Sequence, residues 1–188
     1  MEEPVDGDDF AGDSSAERII RLTGDVSEET AEKFLLNLKK VAELPGEIIV
    51  IVSSEGGSIE EGLRIIDALN IAKNKGCPIH TVATGKAYSM AALIFCTGDK
   101  RTMYPHARLM FHSGRYEDGE GDGQALTVKD LEEMHAEMSM FNGIFRDIVT
   151  NVGMPPQLVE RMMSTDLYMN AGEALSLGII ESIETEII

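Results

Sequence analysis

Tryptophan is absent, and four tyrosines and six phenylalanines are the only aromatic side chains in 188 residues. So few π faces exclude a row of stacking platforms for single-stranded bases. Cations are scarce too: 16 Lys and Arg stand against 33 Asp and Glu, a formal net charge of −17. Nucleic acid and an anionic membrane surface both demand clustered Lys and Arg, so neither is an expected partner. Cysteine occurs twice, at Cys77 and Cys96, too few and too far apart for a disulfide framework or a metal-ligand set. A reducing, cytoplasmic setting is expected, with no metal and no other cofactor. No apolar run approaches the ~20 residues of a membrane span. The acidic first residues lack the basic start and apolar stretch of a signal peptide.

What is present is enough for one domain. Hydrophobic residues make up 43% of the chain, which supports a sizeable core at this length. Residues 1–16 carry Glu2, Glu3, Asp6, Asp8, Asp9 and Asp13 without apolar periodicity, and read as a mobile acidic arm ahead of a domain over 17–188. Arg18-Ile-Ile-Arg-Leu22 alternates like a strand. Ser27 then caps a helix with apolar residues at Ala31, Phe34, Leu35, Leu38 and Val41, and Pro45-Gly46 breaks it. Ile48 to Val52 is the unbroken apolar run of a strand covered on both faces. After Ser53-Ser-Glu-Gly-Gly57, a capping box at Ser58-Ile-Glu-Glu61 predicts a helix that Gly76 ends.

The pattern then repeats with less punctuation. Ile79 to Thr84 reads as a buried strand, Gly85 to Tyr88 as a tight turn, and Ser89 as the start of a short apolar helix. Arg101 to Tyr104 and Ala107 to His112 are further strands. Between Ser113 and Gln124 lie four glycines and four acidic residues, a flexible segment. The longest helix covers about Val128 to Asn151. Its positions Leu131, Met134, Met138, Phe141, Phe145 and Ile148 step by three and four, a seam made for another helix. Gly153 and Pro155-Pro156 stop it. A short helix to Met163, another near Ala171 to Leu177 and a strand at Ile179 to Ile183 close an α/β domain.

Acyl transfer at neutral pH needs a hydroxyl nucleophile, an imidazole, a carboxylate to hold it and N–H groups for the oxyanion. Gly85-Lys-Ala-Tyr-Ser89-Met-Ala-Ala92 has a suitable form, because a serine between strand and helix is exposed beside free N–H groups. The same small residues equally serve the packing of a buried helix start. Glu55-Gly56-Gly57 sits at a second junction of this kind and could offer an N–H to the same space. Of four histidines, His80 reads as a satisfied half-core residue, His106 as exposed, and His135 as lying at the edge of the long-helix seam. His112 ends a buried strand before a glycine-rich stretch, a common place for function in parallel α/β sheets. Glu160, Asp166 and Glu173 are all available carboxylates. Glu173 is better explained as the last member of a capping box from Asn170.

Taken in order, these pieces resemble the family of the Clp protease proteolytic subunit, ClpP, over about Glu17 to Ile183. They run Ile20-Arg-Leu-Thr-Gly24, Ser54-Glu-Gly-Gly57, Gly85-Lys-Ala-Tyr-Ser-Met-Ala-Ala92 and Pro105-His-Ala-Arg-Leu-Met-Phe-His-Ser113. Thr165-Asp-Leu-Tyr-Met-Asn-Ala-Gly-Glu-Ala174 and Leu177-Gly-Ile-Ile180 follow. The resemblance implies Ser89 as nucleophile, His112 as base and Asp166 as its orienting carboxylate, with the N–H groups of Gly57 and Met90 as oxyanion donors. It implies a ClpP/crotonase-type fold of stacked β-β-α units with the long helix as an extended handle. It also implies a homo-oligomer of seven-membered rings, singly or stacked, that encloses the site, takes unfolded polypeptide and can dock a Clp-type ATPase unfoldase.

Some positions depart from the family pattern. Glu55 stands where the family usually has proline, and Thr165 where it often has an arginine that pairs across two rings. Thr102 and Glu184 differ from the usual apolar surface of the unfoldase-docking pocket. Such divergence is similar to the phage-type branch, which implies a head-maturation-type protease acting without an ATPase as the alternative. A crotonase-type acyl-CoA enzyme and an inactive ring scaffold are more distant readings.

Overall fold

The computed structural model describes residues 18–115 and 127–188. The acidic arm expected at 1–16 and the stretch from 116 to Gln124 lie outside the described residues. Thirteen elements are described in the order β1 (Ile19–Thr23), α1 (Glu28–Val41), β2 (Ile48–Ser54), α2 (Ile59–Asn74), β3 (Ile79–Tyr88), α3 (Met90–Cys96) and β4 (Lys100–Met103). β5 (Arg108–Phe111), α4 (Val128–Asn151), α5 (Pro156–Ser164), β6 (Leu167–Asn170), α6 (Ala171–Ser176) and β7 (Ser182–Ile183) complete them. The first elements follow local sequence closely. Ile20 and Leu22 turn inward from the alternating β1. Ser27 caps α1 through the N–H of Thr30, and the Thr30 hydroxyl answers the N–H of Ser27. Ala31, Phe34 and Leu38 form the buried stripe of that helix.

The strands make one sheet ordered β1-β2-β3-β4-β7, every pair parallel. β3 is its hinge. The first part of β3 pairs with β4, from His80 beside Lys100 to Ala83 beside Met103. Its last residues, Lys86 to Tyr88, pair instead with β5, and β5 takes β6 as an antiparallel neighbour. The change of partner happens at Gly85, whose φ of 76° bends the strand in a region that suits glycine. On the other side, the register of β2 against β3 shifts between Val52 and Ser54. The α/β architecture with a long helical handle, implied by the resemblance, is the one observed.

Four local expectations are corrected. Gly85 to Tyr88 is not a turn: the chain stays extended because β5 supplies a new partner for it. Ser58 caps α2 by accepting from the N–H of Glu61, but the Glu61 carboxylate pairs with Arg64 and leaves the box half made. Ile179 and Ile180 are not strand, since both N–H groups donate to the carbonyl of Ala174 and close the end of α6. Only Ser182 and Ile183 pair with β4. Leu167 to Asn170 is a strand that was not expected. The seam of α4 meets the domain only toward its C-terminal end. Phe145 is buried and Phe141 and Ile148 rest on the core, whereas Leu131 is half exposed.

The core runs under the bend. All seven residues of α3 are buried, and Cys96 among them has its thiol pushed up to about 12 by burial, so it stays protonated and unreactive. α3 fits because α2 is narrow where they cross. A Cβ on Gly62 would lie 2.1 Å from Cγ of Met90, itself almost fully buried. Gly62→Ala is therefore expected to cost about 1–3 kcal/mol by overpacking, more than the ~0.5–1 kcal/mol that alanine gains over glycine within a helix. Urea unfolding measures it. An unchanged or higher midpoint would show that α3 yields freely and that this contact does not fix Met90.

Candidate active site

Ser89 joins β3 to α3 with φ 52° and ψ −125°. It is the one non-glycine residue with positive φ among the described residues, and such a backbone costs of order 1–3 kcal/mol unless its surroundings hold it. They do. The N–H of Ser89 donates to the carbonyl of Met110 at 2.8 Å, extending the β3–β5 ladder by one rung. Ala87 and Ala91 are fully buried on either side. Gly56 presses on the turn so closely that a Cβ there would lie 2.7 Å from the Tyr88 carbonyl oxygen and 2.8 Å from Cβ of Ser89. Only glycine fits.

His112 comes from the end of β5. Its Nε2 lies 2.7 Å from Oγ of Ser89; with Nε2 unprotonated, the serine hydroxyl donates. The backbone beyond it is tied down twice. The Ser113 N–H donates to the carbonyl of Met162 at 3.0 Å, and the Gly114 N–H to Oδ1 of Asn142 on α4 at 2.9 Å. Burial, then the charge of Arg115, holds the His112 pKa below the ordinary histidine value, while Asp166 and the Ser113 backbone pull the other way. Nδ1 is buried and has no hydrogen-bond partner of good geometry among the described residues, although the Ser113 backbone lies near enough to favour the protonated ring.

Asp166 precedes β6. The antiparallel register sets Phe111 beside Leu167, so one step further His112 faces Asp166. The carboxylate is near enough to act on the imidazole charge, yet its Oδ1 pairs with Nη2 of Arg115. Of the three residues expected to work together, Ser89 and His112 are in contact, and Asp166 stands beside them in a different bond.

The two glycine turns converge as well. Gly57 has φ 141° and forms a bridge with Val26; a Cβ on it would lie 2.5 Å from the Val26 carbonyl oxygen. Neither the Gly57 nor the Met90 N–H donates a backbone hydrogen bond among the described residues. Both residues line a cleft of about 770 Å³ with Ser89 and His112. Its floor is apolar, from Leu93, Met110, Phe141 and Phe145, and Glu55, Glu60 and Glu137 reach its edge. Such a cleft suits an apolar side chain beside a reacting carbonyl. Among the described residues no group of His, Cys, Asp and Glu is arranged to hold a metal ion. No described helix is long and apolar enough to cross a membrane.

The other sequence candidates fall elsewhere. His80 is buried and its Nε2 meets the Thr102 hydroxyl at 2.8 Å. Thr102, expected on a docking surface, is thus a buried polar contact of the β3–β4 pair. His106 and His135 are exposed. Glu173 completes the capping box of α6 with Asn170, and Glu160 pairs with Arg146. Sequence reasoning missed Arg115 and Asn142. Arg115 did leave a trace, as the only cation between Ser113 and Gln124. Asn142 left none, being one polar residue beside an apolar seam.

Known proteins resemble this chain over most of its length. The family model described as Clp protease matches residues 6–186. The "ATP-dependent Clp protease proteolytic subunit" of Pleurastrum terricola is 29% identical over 174 residues, covering 90% of this chain and 85% of that one. Matched over nearly its whole length, the chain belongs to the Clp protease family.

Proposed function

We propose that the chain is a serine endopeptidase subunit that hydrolyses peptide bonds of unfolded polypeptide inside a homo-oligomeric chamber. The observation that carries this reading is the 2.7 Å contact between Oγ of Ser89 and Nε2 of His112, at a strained, half-buried turn beside two N–H groups without backbone partners among the described residues. Ser89 attacks the scissile carbonyl while His112 takes its proton and then passes it to the leaving amine. The Gly57 and Met90 N–H groups receive the developing oxyanion. Asp166 fixes the imidazole tautomer and stabilises the imidazolium. Water then releases the acyl group by the same route.

A ring agrees with the exposed apolar side chains of α4, among them Val128, Leu131 and Met140, which a neighbouring subunit would cover. The name of the relative from Pleurastrum terricola, "ATP-dependent Clp protease proteolytic subunit", makes an ATP-driven partner the natural means of feeding such a chamber. Unfolding by that partner would present an extended chain to the cleft.

Ser89→Ala is expected to abolish both peptide hydrolysis and labelling by a fluorophosphonate. A variant that keeps full hydrolysis would remove Ser89 from the mechanism. Gly57→Ala forces a Cβ against Val26 and moves an oxyanion donor, so kcat should fall by about 10²–10³; a change in KM alone would count against that role. The pH dependence follows from His112. The neutral imidazole is the base, and its pKa lies below the ordinary value of about 6.5. Activity is then present above the folded pKa and lost as pH falls through it. The acid limb of kcat/KM should therefore lie below 6.5 on the same ordinary scale, and a limb above it would contradict the base assignment.

A further inference from the structure

Arg115 takes no part in the peptidase steps, yet it bonds one of their residues. Its guanidinium holds Oδ1 of Asp166, while Nδ1 of His112 is buried without a hydrogen-bond partner among the described residues. The pairing of Phe111 with Leu167 nevertheless ends one residue short of both, and the Asp166 charge is close enough to act on the imidazole. One carboxylate thus has two neighbouring donors and bonds to one of them. The two donors are unequal. A guanidinium is always charged, and a charge-assisted bond is roughly twice as strong as a neutral one. The resting imidazole is neutral and a poorer competitor. Once His112 has taken a proton, its Nδ1–H becomes a charged donor and the balance tilts toward the histidine.

We infer that Arg115 is a positioning residue that competes with His112 for the Asp166 carboxylate, so that the resting chain holds a Ser89–His112 pair and completes the third contact only when the guanidinium lets go. The inference rests on the peptidase reading of this site. The charged groups that bear on His112 are Arg115, three residues along its own segment, and Asp166 before β6. Glu55 before α2, Glu60 on α2 and Glu137 on α4 line the same cleft. The Arg115 side chain is more than half exposed, and exposed ion pairs contribute only ~0–1 kcal/mol. Removing it should leave the fold intact.

The test uses the full chain carrying Arg115→Gln, Asp166→Asn, both together, or Arg115→Lys, with nitrogen-labelled histidine. The His112 resonance is assigned with His112→Gln. Arg115→Gln should raise the His112 pKa and raise kcat/KM on a short fluorogenic peptide by about tenfold or more. Arg115→Lys, which keeps a cationic competitor, should stay near the parent chain. In the Asp166→Asn background the Arg115→Gln shift should shrink to a small remainder, since no carboxylate is left to release. A shift that persists there at full size would mean that Arg115 acts on His112 by charge alone, and would overturn the inference. So would a fall in kcat/KM for Arg115→Gln, which would make Arg115 a support of Asp166. Fluorophosphonate labelling is scored on the same samples. A parent chain that never labels counts against the peptidase reading, while the histidine titration needs no turnover and judges Arg115 separately.

Discussion

The backbone of Ser89 is the constraint on which the site depends. A serine at φ 52° is held there by the carbonyl of Met110 on one side and by Gly56 on the other. The first of these is a rung of the β3–β5 pairing, so the sheet that strains Ser89 also sets the end of β5, where His112 emerges. The second comes from the turn after β2, so the residue that permits the strain adjoins Gly57. The Ser89 turn, the His112 imidazole and the Gly57 turn are therefore one construction. Each is fixed by a neighbour of the others.

The bend of β3 at Gly85 makes that construction possible. A straight β3 paired with β4 along its whole length would leave no edge for β5. Changing partner at Gly85 exposes an edge for three residues, and β5 uses it to reach the start of α3. β6 then adds to β5 in the opposite sense and carries Asp166 toward the same end. Four separate segments, the turns at Gly57 and Ser89 and the ends at His112 and Asp166, meet because one strand changes neighbours.

Much of this was legible where chemistry is local. Caps and breakers mark α1 and α4, and the apolar periods of Ala31, Phe34 and Leu38 name the buried face of α1 correctly. Ser89 and Gly57 stand at junctions of strand and helix and His112 at a strand end, but only the resemblance of the whole ordered set singles them out. Elements that depend on distant partners were not. Gly85 looks like a turn residue, and only the presence of β5 keeps the chain extended beyond it. β6 is four residues long with its outer face exposed, too short to show a period. Ile179 and Ile180 look like a strand because apolar runs do not reveal whether a sheet or a helix end buries them.

Asp166 shows the same limit in electrostatic form. Sequence can nominate a carboxylate, but a carboxylate's role depends on which donor occupies it. With 33 acidic residues and 16 basic ones, most carboxylates in this chain have no cation to spare, and a lone arginine among acids has many choices. Arg115 is three residues from His112 and bonds across to a segment 51 residues further on, a choice that no spacing rule encodes. Its effect on His112 is double. It bonds the carboxylate whose charge favours the imidazolium, and it adds a positive charge that disfavours it. Burial and that positive charge together hold the imidazole pKa below its ordinary value, against the pull of Asp166. One arginine thus decides which donor a neighbouring carboxylate serves, and its own charge reaches the imidazole as well.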